Sequence, residues 1–213
     1  MKLHAKLSPP LPRAFYNRDP RKVSRDLLGK MLVRREENRR LAARIVEVEA
    51  YLGANDAAAH AASGRTARNA VLFGPPGHIY IYFIYGNHYC LNFSCLPDGV
   101  AGGVLVRALE PMEGIQEMAK ARSIEIDGPR SLRALTSGPG RLAEAFGITR
   151  ARDNEKDATS RHSDLYVADD GFLPKRILKT VRIGINKAAD LPLRYIIADN
   201  EFVSGSKRLM TEN

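Results

Sequence analysis

The sequence has no tryptophan and only two cysteines among its 213 residues. Cys90 and Cys95 lie five residues apart without a Cys-x-x-Cys spacing, which excludes a disulfide framework and gives no zinc motif. No apolar run is long enough to cross a bilayer, and the residues before Pro9 lack the apolar core of a secretion signal. We therefore expect a cytosolic or nucleoid protein with reduced cysteines and no membrane segment.

Acidic residues are also in the minority. Lys and Arg number 33 against 24 Asp and Glu, which gives a net charge of +9 and a pI near 9.7. A charge of this sign favours a polyanionic partner, and nucleic acid is the first candidate. The positive charges are scattered along the chain, so a generically basic protein stays open as an alternative.

The length favours one domain spanning 1–213, with a mobile N-terminal segment at about 1–12 and a mobile loop at about 151–164. Asp19-Pro20 predicts the start of a helix that continues to about Lys30, with Val23, Leu27 and Leu28 on its inner face. Further helices are expected from Glu110-Pro111 to about Arg122 and after Gly140. Strands are expected at 30–35, 45–51, 104–109, 182–185 and 193–197.

This succession lacks a regular strand–helix–strand repeat and predicts an α+β fold. We expect a mixed, mostly antiparallel curved sheet with surrounding helices and a protruding β-hairpin. The hairpin is predicted from two aromatic and β-branched runs on either side of Gly86-Asn87. Tyr80, Phe83 and Phe93 are interpreted as core residues. Tyr85 lies beside the turn, where a ring has little protein to pack against, and suggests a base-stacking wedge.

The strand at 45–51 carries two carboxylates on one face. With period-two alternation, Ile45, Glu47, Glu49 and Tyr51 share a side, so that side is either wet or lines a polar pocket. The segment 63–69 follows, and its small residues, hydroxyls, Arg65 and Arg68 suit phosphate oxygens. Taken alone, each pattern also fits a solvated surface.

Considered together and in order, these segments resemble the alkyladenine type of methylpurine-DNA glycosylase. The resemblance covers about Arg13 to Gly205 and rests on the order and spacing of several motifs. They are 44–53, the Asp56 to His60 spacing, Arg68-Asn69, 76–82, 84–86, 90–92, 106–111, 137–139 and 192–195. Where such a family has a methionine and an aromatic residue after Gly86, this chain has Asn87-His88.

The resemblance implies a monofunctional base-excision repair enzyme without lyase activity. Such an enzyme flips an alkylated or deaminated purine out of duplex DNA and hydrolyses its N-glycosidic bond. Its partner would be double-stranded DNA, and we expect a monomer that uses no metal and no cofactor.

The resemblance also implies a role for each site residue. Glu49 would activate the attacking water, assisted by Arg107. Tyr51 and Tyr82 would sandwich the flipped purine, His60 would hydrogen-bond it, and Asn92 at the pocket floor would reject the exocyclic amine of guanine. The remaining assignments are the duplex gap for Tyr85 and the DNA phosphates for Arg65, Thr66 and Arg68.

Several alternatives stay open at this point. Glu47 has a supporting role at most, and Arg107 could pair with Glu49 or Glu110 for stability alone. A non-catalytic nucleic-acid-binding domain, such as the tRNA-binding domain of a formyltransferase, would also be basic and aromatic but does not need Glu49, Tyr51, His60 and Asn92 together. An RNA-processing hydrolase would need a nucleophile or a metal cluster, and the sequence offers neither.

Overall fold

A single antiparallel sheet organises the chain. The computed structural model describes residues 9–37, 39–84, 86 and 88–205. Its strands are β1 Met31–Glu36, β2 Arg39–Tyr51, β3 Ile79–Ile84, β4 His88–Ser94, β5 Gly103–Glu113, β6 Leu165–Ala168, β7 Ile177–Thr180 and β8 Arg194–Ile197. The order along the sheet is β3-β4-β5-β2-β1-β6, while β8 pairs with both β2 and β7. Every strand pairing among the described residues is antiparallel, so the predicted α+β class is confirmed.

Within the described ranges, six short α-helices accompany the sheet. They are α1 Arg13–Tyr16, α2 Pro20–Leu27, α3 Ile115–Ala121, α4 Pro129–Thr136, α5 Pro139–Ala145 and α6 Arg150–Asp153. Helix α2 begins where its signal predicts, because the Asp19 carboxylate accepts a hydrogen bond from the Arg21 amide at 2.8 Å and Pro20 occupies the first turn. Its predicted inner residues Val23 and Leu27 are fully buried.

Strand β2 is the centre of the core. Its side chains Ile45, Val46, Val48 and Ala50 are all fully buried, so both faces of the strand are covered. β5 lies along one side of β2 over almost its whole length. On the other side, β1 pairs with the first half of β2 and β8 pairs with 47–49. The second half of β2 is therefore enclosed between β5 and β8.

Two predicted elements are wrong. Strand β5 does not end at Glu110 but continues through Pro111 to Glu113, since an irregularity in the pairing with β2 accommodates the proline. Helix α3 begins only after Gly114, whose φ of +76° and close approach to the Arg40 carbonyl favour glycine.

The second error concerns 182–185, which forms a loop, while the strand lies earlier at Ile177–Thr180. The Ile183 amide donates to the Glu49 side chain, and the Ile183 carbonyl accepts from Arg107. These backbone groups therefore hydrogen-bond to side chains and not to a neighbouring strand. Helix α4 was not predicted, since Arg130, Ser131 and Arg133 interrupt its apolar pattern.

The two segments expected to be mobile carry fixed contacts. Residues 1–8 lie outside the described residues, but the Leu11 amide donates to the Val167 carbonyl at 2.8 Å and Leu11 is buried. Within 151–164, Asp153 and Ala158 are fully buried. Mobility at 151–164 stays a prediction.

Candidate active site

Two bulges shape the strands that carry the carboxylates. In the pairing of β2 with β5, Ile45 faces Leu109, Glu47 faces Ala108 and Val48 faces Val106. Val46 is thus an extra residue on β2, and Arg107 is an extra residue on β5. Because a bulge re-aims the side chains around it, Arg107 reaches both Glu47 and Glu49.

Glu49 is fully buried and has partners at both carboxylate oxygens. Oε1 accepts the Ile183 amide at 2.8 Å and lies 3.3 Å from a terminal nitrogen of Arg107. Oε2 accepts the Tyr51 hydroxyl at 2.9 Å. These partners offset the cost of burying the charge and fix the orientation of the carboxylate.

Glu47 has a different environment, although it lies on the same strand two residues earlier. Its Oε1 accepts Nε of Arg107 at 3.0 Å, Nε of Arg194 at 2.7 Å and the Ser204 hydroxyl at 2.9 Å, and its Oε2 accepts the Ser204 amide at 2.6 Å. This full set of partners holds Arg107 in place. Burial opposes the positive charge of Arg107, but Glu49 and Glu47 outweigh it and hold the pKa of Arg107 above its usual value.

A cavity of about 400 Å³ lies in front of these groups. Its wall is contributed by the end of β2, the loop after it, β3, β4, β5, the start of α5 and the 183–185 loop. The lining side chains that bear on the chemistry are Tyr51, His60, Tyr80, Tyr82, His88, Cys90, Asn92, Leu105, Arg107, Arg141 and Ile183. Glu49 lies directly behind this wall, since its carboxylate contacts Tyr51, Arg107 and Ile183.

Aromatic rings dominate one part of the cavity. The His60 and Tyr82 rings meet edge to face with centroids 4.5 Å apart, and Tyr80 lies 5.8 Å from Tyr82. Burial raises the pKa of Tyr82 above its usual value, and burial together with the Glu49 charge does the same for Tyr51. Both phenols therefore stay neutral and can act as stacking surfaces.

Asn92 closes the cavity between β3 and β5. The side chain is buried, and its amide nitrogen donates to the carbonyls of Tyr80 at 3.2 Å and Cys90 at 3.3 Å. These two bonds fix the amide, so one edge of the cavity has a polar group in a set orientation.

Comparison with known proteins shows the family of this chain. The model of the family described as methylpurine-DNA glycosylase matches residues 14–201. The chain belongs to this family. A relative from Koribacter versatilis is 65% identical over 200 residues, which cover 94% of this chain and 95% of the relative. Relatives from Burkholderia cenocepacia, 46% identical over 92% of this chain and 91% of the relative, and Methanocella arvoryzae, 47% identical over 87% and 90%, share its name, "Putative 3-methyladenine DNA glycosylase".

As a methylpurine-DNA glycosylase, the protein is a DNA N-glycosylase that acts on alkylated bases. The alternatives of a non-catalytic tRNA-binding domain and an RNA-processing hydrolase are therefore wrong. No helix in the described ranges is long and apolar enough to cross a membrane.

The loop at 60–69 presents its basic residues to solvent. Arg65, Thr66 and Arg68 are all exposed, and Arg68 donates to the Phe83 carbonyl at 3.4 Å. The buried Asn69 shapes the loop, because its side-chain nitrogen donates to the carbonyls of His60 and Gly64 and its oxygen accepts the Thr66 amide. The exposed groups are thus held on a structured loop beside the cavity.

Tyr85 and Asn87 lie outside the described residues. β3 and β4 pair from Ile79 with Phe93 to Ile84 with His88. Phe83 is exposed and contacts the Tyr89 ring at 5.0 Å, so the prediction of Phe83 as a core residue is wrong. Tyr80 and Phe93 are buried as predicted.

Sequence reasoning missed several residues that build this candidate site. Arg194 and Ser204 complete the environment of Glu47, and Arg182 pairs with Asp56 behind Tyr51. Asp56 had a signal in its spacing from His60. Arg194 lies in the 192–195 motif, whereas the partners of Arg182 and Ser204 are more than 120 residues away, and pairing across such a distance leaves no local pattern.

The pKa of His60 reports on the environment of the cavity wall around its ring. Partial removal of the ring from water, and secondarily the positive charge of Arg68, hold the pKa of His60 below 6.5. Since a nearby cation disfavours the imidazolium, Arg68→Gln should raise this pKa toward 6.5, and the ring should then gain its proton at a higher pH. NMR titration of the imidazole nitrogens measures the change. Arg176→Gln, at a residue paired with Asp199, is the control; a wild-type value at or above 6.5 contradicts the described environment.

Proposed function

We propose that this glycosylase hydrolyses the N-glycosidic bond of a purine flipped into the 400 Å³ cavity, with Glu49 activating the water. The observation that carries the proposal is the position of the Glu49 carboxylate. It lies behind the cavity wall and is held by three residues of that wall, Tyr51, Arg107 and Ile183. A cavity of this volume falls within the range of small-ligand sites, roughly 300–1,000 Å³.

The proposed chemistry assigns two tasks to Glu49. Departure of a purine builds positive charge on the sugar, and a nearby carboxylate stabilises that charge. The same carboxylate accepts a proton from the water that attacks the sugar carbon, while the C–N bond breaks and the base leaves with the bonding electrons. Arg107 orients the carboxylate and the water, since it already lies 3.3 Å from Oε1 of Glu49.

The base is proposed to stack between the rings of Tyr51 and Tyr82. His60, in edge contact with Tyr82, hydrogen-bonds the purine. Asn92 is fixed by the two carbonyls that it contacts, so it cannot swing away from the exocyclic amine of guanine. A normal guanine would leave polar groups unpaired at this edge, and such groups give strong discrimination.

The duplex outside the cavity is proposed to contact the exposed loop and the hairpin tip. Arg65, Thr66 and Arg68 bind phosphates, and Tyr85 fills the gap that the flipped base leaves. Flipping costs least for a damaged or mispaired base, so part of the selectivity comes from the DNA. On this basis we include deaminated as well as alkylated purines among the substrates.

The enzyme is proposed to be monofunctional. A lyase step on the abasic sugar usually proceeds through a Schiff base with an amine. The cavity wall, within the part of the chain that the structure describes, contains arginines and histidines but no lysine. We therefore propose that water is the nucleophile and that the abasic strand stays intact.

The test is base release from duplexes that each carry one purine: 3-methyladenine, hypoxanthine, adenine or guanine. We expect release of 3-methyladenine and hypoxanthine and intact normal bases, with strand breaks appearing only after alkali treatment. Strand cleavage without alkali would contradict monofunctional hydrolysis, and an inert hypoxanthine duplex would restrict the substrates to alkylated bases.

Salt dependence tests the proposed DNA surface. With about three to six phosphate contacts, the logarithm of the affinity for undamaged duplex should fall with the logarithm of salt concentration at a slope of about −3 to −5. Arg65→Gln and Arg68→Gln should each reduce that slope by about 1 because each removes one phosphate contact. Fluorescence anisotropy at several salt concentrations measures it. Arg176→Gln is the control, and equal slopes in all four proteins would place the DNA elsewhere.

A further inference from the structure

A fully buried ion pair lies behind the active-site wall. Two terminal nitrogens of Arg182 donate to the two oxygens of Asp56, at 2.6 and 2.9 Å, and neither side chain has any solvent exposure. Burial alone would raise the pKa of Asp56, but the hydrogen bonds from Arg182, Leu52 and Ala58 outweigh it and hold that pKa below its usual value. The pair is thus charged on both sides.

Arg182 also holds the end of β2. Its NH1 nitrogen donates at 3.1 Å to the carbonyl of Ala50, the residue between Glu49 and Tyr51. Its guanidinium carbon lies 4.7 Å from the centroid of the Tyr51 ring, within cation–π distance. One side chain therefore fixes both the backbone and the ring of the stacking residue.

Ile183, the residue after Arg182, contacts Glu49, the proposed general base. The Ile183 amide donates to Oε1 of Glu49 at 2.8 Å, and the Ile183 carbonyl accepts from Arg107 at 3.4 Å. The position of Arg182 thus determines where this peptide meets the carboxylate. The Nε of Arg182 is buried and has no hydrogen-bond partner among the described residues. Such an unpaired buried donor costs free energy, and a functional role of the side chain is one reason for a fold to retain it.

Asp56 extends the same connection to the other wall of the cavity. Its oxygens accept the amides of Leu52 and Ala58, each at 3.1 Å, and so fold the turn that leads to His60. Gly53 allows this turn with a φ of +75° and leaves no room for a side chain against the Ala101 carbonyl.

We propose that the Arg182–Asp56 pair is a positioning device for base excision, which sets the orientation of Glu49 through the Ile183 amide and that of Tyr51 through the guanidinium. The proposal rests on the proposed function of Glu49 as the base. Neither residue touches the substrate. A misplacement of about 1 Å at reacting groups can cost on the order of a hundredfold in rate, so such a device controls the chemical step.

Arg182→Lys is the first test, because lysine keeps the charge but loses the paired hydrogen bonds and the planar group over Tyr51. We expect the single-turnover rate constant of base release at saturating enzyme to fall about 10- to 100-fold. Affinity for undamaged duplex should stay within about twofold, since the phosphate-binding loop is untouched. A merely destabilised fold would lower the fraction of active enzyme and leave the rate constant of that fraction unchanged.

The chain offers a matched control. Arg34 and Asp153 form another fully buried pair, with two hydrogen bonds of 2.9 and 2.8 Å between β1 and α6. Arg34→Lys should lower the melting temperature and leave the rate constant at its wild-type value. If Arg34→Lys slows base release as much as Arg182→Lys, the loss reflects general destabilisation and the proposal fails.

A second variant tests the proposal in case Arg182→Lys does not fold. Asp56→Asn keeps the acceptor oxygen and the shape but removes the charge that holds Arg182, so it should also reduce the rate constant. The double variant should lose no more than the worse single variant, because both act through one device. A wild-type rate constant in both single variants overturns the proposal. Glu49→Gln tests the proposed general base separately from the positioning pair. Full activity of this variant would refute the role of Glu49, whatever the result at Arg182.

Discussion

Glu49→Gln should release damaged bases at least about a hundredfold more slowly than the wild type while binding lesion-containing duplex equally well. The amide cannot accept a proton from water, but it keeps the shape of the carboxylate. Its oxygen can still accept the Ile183 amide, and its NH₂ group can donate to the Tyr51 hydroxyl, which also accepts. Binding and chemistry should therefore separate, and single-turnover assays beside anisotropy titrations measure both.

Glu117→Gln on the exposed face of α3 is the control for the Glu-to-Gln change itself. It should leave rate and affinity unchanged. If Glu49→Gln keeps more than about a tenth of the wild-type rate constant, the base lies elsewhere, because general-base loss typically costs about a hundredfold or more.

Glu47→Ala should have its large effect on stability. The substitution leaves Arg107 and Arg194 in the core without the carboxylate that both contact through Nε. Removing one partner of a buried ion pair typically costs about 3–5 kcal/mol, a large share of a total stability of about 5–15 kcal/mol. Urea denaturation at neutral pH measures the free energy of unfolding.

Glu144→Ala provides the comparison for Glu47→Ala. Glu144 pairs with Arg122 at the surface, and 48% of its side chain is exposed, so its loss should cost about 0–1 kcal/mol. Equal losses in the two variants would show that the contacts of Glu47 contribute no more than a surface pair. Together with Glu49→Gln, this comparison tests whether Glu49 has the proposed catalytic role and Glu47 a structural one.

The elements that sequence reasoning predicted well have local signals. The Asp19-Pro20 cap is complete within a few residues, and the antiparallel pairing of β3 with β4 follows from two strand-like runs on either side of Gly86. The errors occur where distant contacts override such signals. The alternation at 182–185 is typical of a strand, yet its backbone groups bind Glu49 and Arg107 instead of a neighbouring strand.

The sequence by itself determined the kinds of group available and the family. Two carboxylates on one strand, tyrosines on a hairpin and arginines on a small-residue loop are visible in order, and their spacing indicated a methylpurine-DNA glycosylase. The family match confirms that identity. The roles of the individual residues stay predictions.

The resemblance assigned the catalytic role to Glu49, but only the tertiary structure gives Glu47 and Glu49 physically different environments. Alternation places both on one face of β2, and nothing nearby in the sequence separates them. In the fold, Glu47 accepts four hydrogen bonds, from Arg107 of β5, Arg194 of β8 and the amide and hydroxyl of Ser204, while Glu49 contacts three residues of the cavity wall. The physical reason is that the environment of a buried charge is set by side chains up to 157 residues away, which meet it only when the sheet closes around β2.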